Sequence, residues 1–99
     1  MQATAKYAEA LAHDIADALN HAPHAAGRVT VRYDRAAETW TVRVTIGRAN
    51  RYDLAMPAAG AMYALWRNGT WLGGLHLCTD AAPIDVATAL LDRIAQTVR

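Results

Sequence analysis

Two neighbouring stretches in the first half of the chain alternate between apolar and polar residues position by position. In Arg28-Val29-Thr30-Val31-Arg32-Tyr33-Asp34, the residues Val29, Val31 and Tyr33 fall on one side of an extended chain, with Arg28, Thr30 and Arg32 on the other. In Thr39-Trp40-Thr41-Val42-Arg43-Val44-Thr45-Ile46, the set Trp40, Val42, Val44 and Ile46 opposes Thr39, Thr41, Arg43 and Thr45. Side chains on a strand repeat every two residues, so each run predicts a strand with one buried and one solvated face. The short break Asp34 to Glu38 makes the pair an antiparallel hairpin, a sheet type that can keep one face in water.

The pattern continues with less regularity. Gly47 to Asn50 reads as a tight turn, and Arg51 to Met56 as a third strand with Tyr52, Leu54 and Met56 inward. Asn68-Gly69 supplies the positive φ angles of a type I′ turn, which predicts a second hairpin joining strands at Ala61 to Arg67 and Thr70 to Cys78. Both of these strands are apolar on both sides. Gly73-Gly74 inside the last one signals a bulge or a close backbone approach.

Helical periodicity brackets the strands. From about Thr4 to Asn20, Tyr7, Leu11, Ile15, Ala18 and Leu19 recur at spacings of three and four, and Pro23 ends the run. From about Pro83 to Val98, the stripe is Ile84, Ala87, Leu91, Ile94, Ala95 and Val98 with Leu90 beside it, and Thr79 or Asp80 is the expected cap. The expected fold is therefore α+β, a single domain over residues 1–99. It is a two-layer sandwich in which a five-stranded antiparallel meander carries the N- and C-terminal helices on the face of Val29, Val31, Trp40, Val42 and Val44. Alanine supplies 23 residues, leaving 30 larger apolar ones for the core. With no Phe present, Trp40, Trp66 and Trp71 are the expected anchors.

Several mechanisms are excluded or left without support. The chain has no Ser, one Cys and two glutamates (Glu9 and Glu38), and it lacks phosphate-loop, dinucleotide and Cys-x-x-Cys motifs. No signal peptide and no run of about 20 apolar residues is read, so no membrane partner and a cytoplasmic location are expected. Neither an enzyme nor a cofactor is expected. Two polar clusters stand out. His13, Asp17 and His21, with His24, have a helical spacing that could hold a metal, but also that of ordinary solvated neighbours, so no metal is expected. His76, Cys78 and Asp80 precede the last helix, where a thiol can be activated, but neighbours on one strand rarely meet in nucleophile–base geometry, so a buried inert Cys is expected.

Two surfaces remain. The outer side of the last hairpin, Tyr63, Leu65, Trp66, Trp71 and Leu72, carries more apolar residues than one sheet face needs. It predicts a non-enzymatic binding or assembly module that meets a protein partner or a second copy of itself. The alternative is nucleic acid on the Arg/Thr side of the first hairpin, through Arg28, Arg32, Arg43 and Arg51, among Thr30, Thr41, Thr45 and Asp53. Residues 27–53 hold six Arg against Asp34, Glu38 and Asp53, whereas the first 20 residues are net acidic and the whole chain is only +1. A sheet that reads single strands displays aromatic platforms, and by their phase Tyr33, Trp40 and Tyr52 point inward. The element order is similar to that of the double-stranded-RNA-binding domain. That family has fewer strands and a basic start to its last helix, where this chain has Ala82-Pro83-Ile84-Asp85, so no function is carried over.

Overall fold

The computed structural model describes residues 2–21, 27–36, 38–57, 63–75, 77 and 81–97, the side chains of 2–6 excepted. The chain runs α1 (Gln2–Asn20), β1 (Arg28–Asp34), β2 (Thr39–Ile46), β3 (Asn50–Ala55), β4 (Ala64–Arg67), β5 (Thr70–Gly74) and α2 (Pro83–Thr97). The strands form one antiparallel sheet in the order β1-β2-β3-β4-β5, and the two helices pack against each other and over one face of it. This is the α+β meander that the period-two runs and helical stripes imply. No helix among the described residues is long and apolar enough to cross a membrane.

The core lies between the layers. From the sheet come Val42, Val44, Tyr52, Leu54, Met56, Tyr63, Leu65 and Leu75; from the helices come Leu11, Ile15, Leu19, Val86, Leu90 and Ile94. Fully burying a side chain of this size stabilises by about 1.5–3 kcal/mol. The aromatic anchors are Tyr52 and Tyr63, both wholly buried, rather than the tryptophans. Trp71 is 65% exposed, and Trp40 and Trp66 are half-buried. Tyr52 sits at the centre of a five-stranded sheet, where no indole is needed to fill the space. Its hydroxyl bonds Thr97 Oγ1 at 2.8 Å, and the Arg67 guanidinium lies 5.8 Å from the ring centroid. Arg67 also donates to the Thr97 carbonyl and to Asn50 Oδ1, tying β3 and β4 to the end of α2.

The helix stripes are turned relative to expectation. In α2 the buried line is Val86, Ala87, Leu90 and Ile94, while Ile84 is 57% exposed and Ala95 is exposed. Val86, Leu90 and Ile94 recur every four residues, and this row is buried in the core while Leu91 is only partly buried against it. In α1, Tyr7 is exposed and Ala12 and Ala16 complete the buried face. The Ala82 carbonyl accepts from the Asp85 and Val86 amides, so Ala82 precedes Pro83 in the capping position. Thr79 and Asp80 lie outside the described residues.

The Asn68-Gly69 turn is as its dipeptide demands, with φ of 51° and 85°. It is also held from the side. Asn68 Oδ1 accepts from the Arg51 amide and the Asn68 amide donates to the Arg51 carbonyl, both at 2.8 Å. Gly73 has φ of 101°, and the β4–β5 register steps by one residue between Leu65 and Trp66, opposite Leu72. The glycine pair thus marks a bulge. From α2, Arg93 Nη2 donates to the Leu72 carbonyl at 2.6 Å.

Candidate functional site on the open sheet face

The strand registers align the outward side chains in rows across the sheet, because residues directly opposite share a face. At one end the row is Arg28, Thr45 and Arg51. The next row crosses all strands: Thr30, Arg43, Asp53, Trp66 and Trp71. The third is Arg32, Thr41, Ala55, Ala64 and Gly74, and Asp34 pairs with Thr39 beyond it. The Arg/Thr set expected on one face is therefore in phase over three strands.

The hairpin that was expected to form an apolar interface is divided between the layers. Tyr63 and Leu65, placed there from sequence, point to the helices and are 0% and 1% exposed. Leu72 is half-buried against the core. Of the five, only Trp66 and Trp71 stand on the open face, where they are direct cross-strand partners. The bulge explains the regrouping. Sequence phase puts Trp71 and Leu75 on one side, but the extra residue at Leu72 reverses the phase. Trp71 faces out beside Trp66, while Leu75, whose amide bonds the Tyr63 carbonyl, faces in and is buried. Tyr33 and Trp40 share the helix side and meet edge to face with centroids 5.5 Å apart, though Tyr33, on the outer strand β1, remains 45% exposed.

Charge on the face is graded. Arg43 Nε donates to Asp53 Oδ1 at 2.7 Å and its Nη2 lies 3.4 Å from Oδ2. Arg51 Nε is 3.5 Å from the same carboxylate. Among the described residues, Arg28 and Arg32 form no ion pair. The row Arg28–Thr45–Arg51 contains no acid, and the whole face sets four arginines against Asp53 and Asp34. The acids Asp14, Asp17, Asp85 and Asp92 are exposed on the helices, in the other layer. A net charge of +1 thus hides a positive sheet face and an acidic helix layer.

Where small residues of the third row lie beside Trp66, the face sinks into a cavity of about 290 Å3. Arg32, Asp34, Thr39, Thr41, Arg43, Asp53, Ala55, Trp66 and Gly69 line it. Thr41 is only 7% exposed although it sits on the side away from the helices. Sequence reasoning missed Asp34, Thr39, Ala55 and Gly69. The available signal was the two-residue turn, which fixes Trp66 opposite Trp71 and puts the small Ala55 in the row next to Trp66.

Among the described residues, His13, Asp17 and His21 are not drawn together. His21 Nδ1 lies 2.8 Å from the Asp17 carbonyl, while His13 lies against Trp40, centroids 6.3 Å apart. Among the described residues no group of three or more His, Cys, Asp or Glu is arranged to hold a metal. His24, His76, Cys78 and Asp80 lie outside the described residues.

Fold and face together define an α+β two-layer sandwich with an arginine- and tryptophan-bearing open sheet. Compared with known protein families, curated proteins and solved structures, the chain matches none.

Proposed function

We propose that this domain is a non-enzymatic module that binds single-stranded nucleic acid across its open sheet face. The observation that carries the reading is the pairing of Trp66 with Trp71 in the same row as Arg43, directly beside the acid-free row Arg28–Thr45–Arg51. A base stacks on an exposed indole such as Trp71, worth about 1–3 kcal/mol per base, and does so whatever its sequence. Arginines one row away supply phosphate contacts, and threonine hydroxyls between them add hydrogen bonds. Duplex is disfavoured because stacking on a flat sheet needs unpaired bases.

The test is fluorescence anisotropy with a labelled single-stranded oligonucleotide over a salt series. Binding should weaken steeply with salt, since each neutralised phosphate releases counterions. Arg28→Glu/Arg51→Glu should flatten the salt dependence, and Trp71→Ala should weaken binding about tenfold, the loss of one stacked base. No binding at low salt, or binding indifferent to all three substitutions, refutes the reading.

A protein partner or a second copy of the chain is the second reading, and the exposure of Trp71 favours it. It loses ground because Tyr63 and Leu65, two of the five apolar residues that motivated it, belong to the core. Light scattering of the wild type and of Trp71→Ala separates the two. A concentration-dependent dimer that the substitution dissolves supports self-association.

A further inference from the structure

We infer that the cavity beside Trp66 is a pocket for one unstacked guanine base, an inference that rests on the single-strand reading above. The size comes first. About 290 Å3 is at the small end of ligand pockets, enough for one ring system and not for a chain. The charge comes second. Inside the cavity Arg32 and Arg43 are balanced by Asp34 and Asp53, so the lining has no net preference for a phosphate. Phosphates belong instead to the acid-free row of Arg28 and Arg51. A neutral ring whose edge carries both donors and acceptors fits the balanced lining, with Trp66 as its apolar wall.

The donor and acceptor types then choose among the bases. Guanine offers the acceptor pair O6 and N7, which a guanidinium recognises well, and on the neighbouring edge the N1 and N2 hydrogens, which a carboxylate accepts. Cytosine pairs the acceptors N3 and O2 but donates from a single amino group, adenine has no adjacent acceptor pair, and uracil and thymine donate from N3 alone, so guanine is the base that offers both a paired acceptor edge and a paired donor edge. The guanidinium of Arg43 is held in place by its bonds to Asp53, so little freedom is lost when a ligand meets it. Arg32, exposed at the rim, is free to close on the ring. Thr41, only 7% exposed, lines the same cavity.

The experiment uses labelled oligouridine and the same oligomer with a single central G, A or C, bound to the full chain. The central G should tighten binding about tenfold over the other three, the discrimination one good bidentate contact supplies. Ala55→Ile fills the floor of the cavity without touching Arg28, Arg51 or Trp71. It should erase the preference for G while leaving oligouridine affinity within about twofold of the wild type. If that variant fails to fold, Arg32→Ala, at an exposed rim position, should reduce the G preference at least about threefold. Equal affinity for all four oligomers, or a G preference that survives the substitution, overturns the pocket and leaves the single-strand reading standing. If oligouridine does not bind at low salt, the single-strand reading fails. Titration with guanosine monophosphate against the other three mononucleotides then decides the pocket alone, and no selective binding overturns it.

Discussion

Arg43 and Asp53 stand directly opposite each other on β2 and β3, joined by a 2.7 Å hydrogen bond, and the same carboxylate also faces Arg51. One acid therefore restrains two of the four arginines on the open face. Replacing it with a neutral amide, Asp53→Asn, should leave the local shape intact and release both charges. We expect stability to fall by about 1 kcal/mol, because a half-buried pair loses one partner. Affinity for single-stranded oligonucleotide at low salt should rise several-fold, with a steeper salt dependence. Denaturant melts and the anisotropy series measure the two effects separately.

Leu65 and Trp71 come from the same hairpin and should respond in opposite ways. Leu65→Ala opens a cavity at a wholly buried position and should cost about 2–5 kcal/mol in urea unfolding. Trp71→Ala removes a large but exposed ring and should change stability by about 0.5 kcal/mol or less. Equal costs would mean that the hairpin's two faces are not divided as described.

The Tyr63 hydroxyl is buried with no hydrogen-bond partner among the described residues. Burial, with a further push from Tyr7, raises its pKa from the usual 10.0 to about 12. Below pH 10 the group is protonated in folded and unfolded chains alike and contributes no pH slope. Between pH 10 and about 12 the unfolded chain gives up a proton that the folded chain keeps, so stability falls as pH rises. Tyr63→Phe should remove that part of the decline in melts taken from pH 9 to 12, and should be neutral or slightly stabilising at pH 7, because an unpaired buried hydroxyl costs free energy.

The turn at Asn68-Gly69 gives a fourth test. Gly69→Ala forces a Cβ into a backbone with φ of 85° and should destabilise by about 1–2 kcal/mol. Asn68→Ala also loses the bond from the Arg51 amide to the side chain and should cost about 1 kcal/mol more than an exposed alanine substitution elsewhere in the sheet. Thermal melts followed by circular dichroism read both.

Much of this arrangement was legible from residue order, and the reasons are local. The strand bounds of β1 and β2 follow from strict alternation, and the type I′ turn from a dipeptide that tolerates positive φ. Once those turns are short, the meander and the row of Arg28, Thr45 and Arg51 follow from register alone. Two things were not legible. The face chosen by α2 depends on whether Val86 or Ile84 meets the sheet, and both are apolar, so periodicity could not decide. The phase of β5 depends on one extra residue at Leu72. Gly73 hinted at it, but only the paired strand shows on which side Trp71 and Leu75 emerge. The cavity escaped for the same reason, since its lining is gathered from β1, β2, β3, β4 and the Asn68-Gly69 turn and no single segment shows it.

The contact between Arg93 and the Leu72 carbonyl has a consequence away from the binding face. β5 is the outermost strand on its side, and an unprotected outer strand is a template on which strands of other molecules can add. Here a side chain from α2 already occupies one of its carbonyls, and the extra residue at Leu72 breaks the even spacing that an incoming ladder would have to match. Both features disfavour the addition of a further strand at this point of the β5 edge.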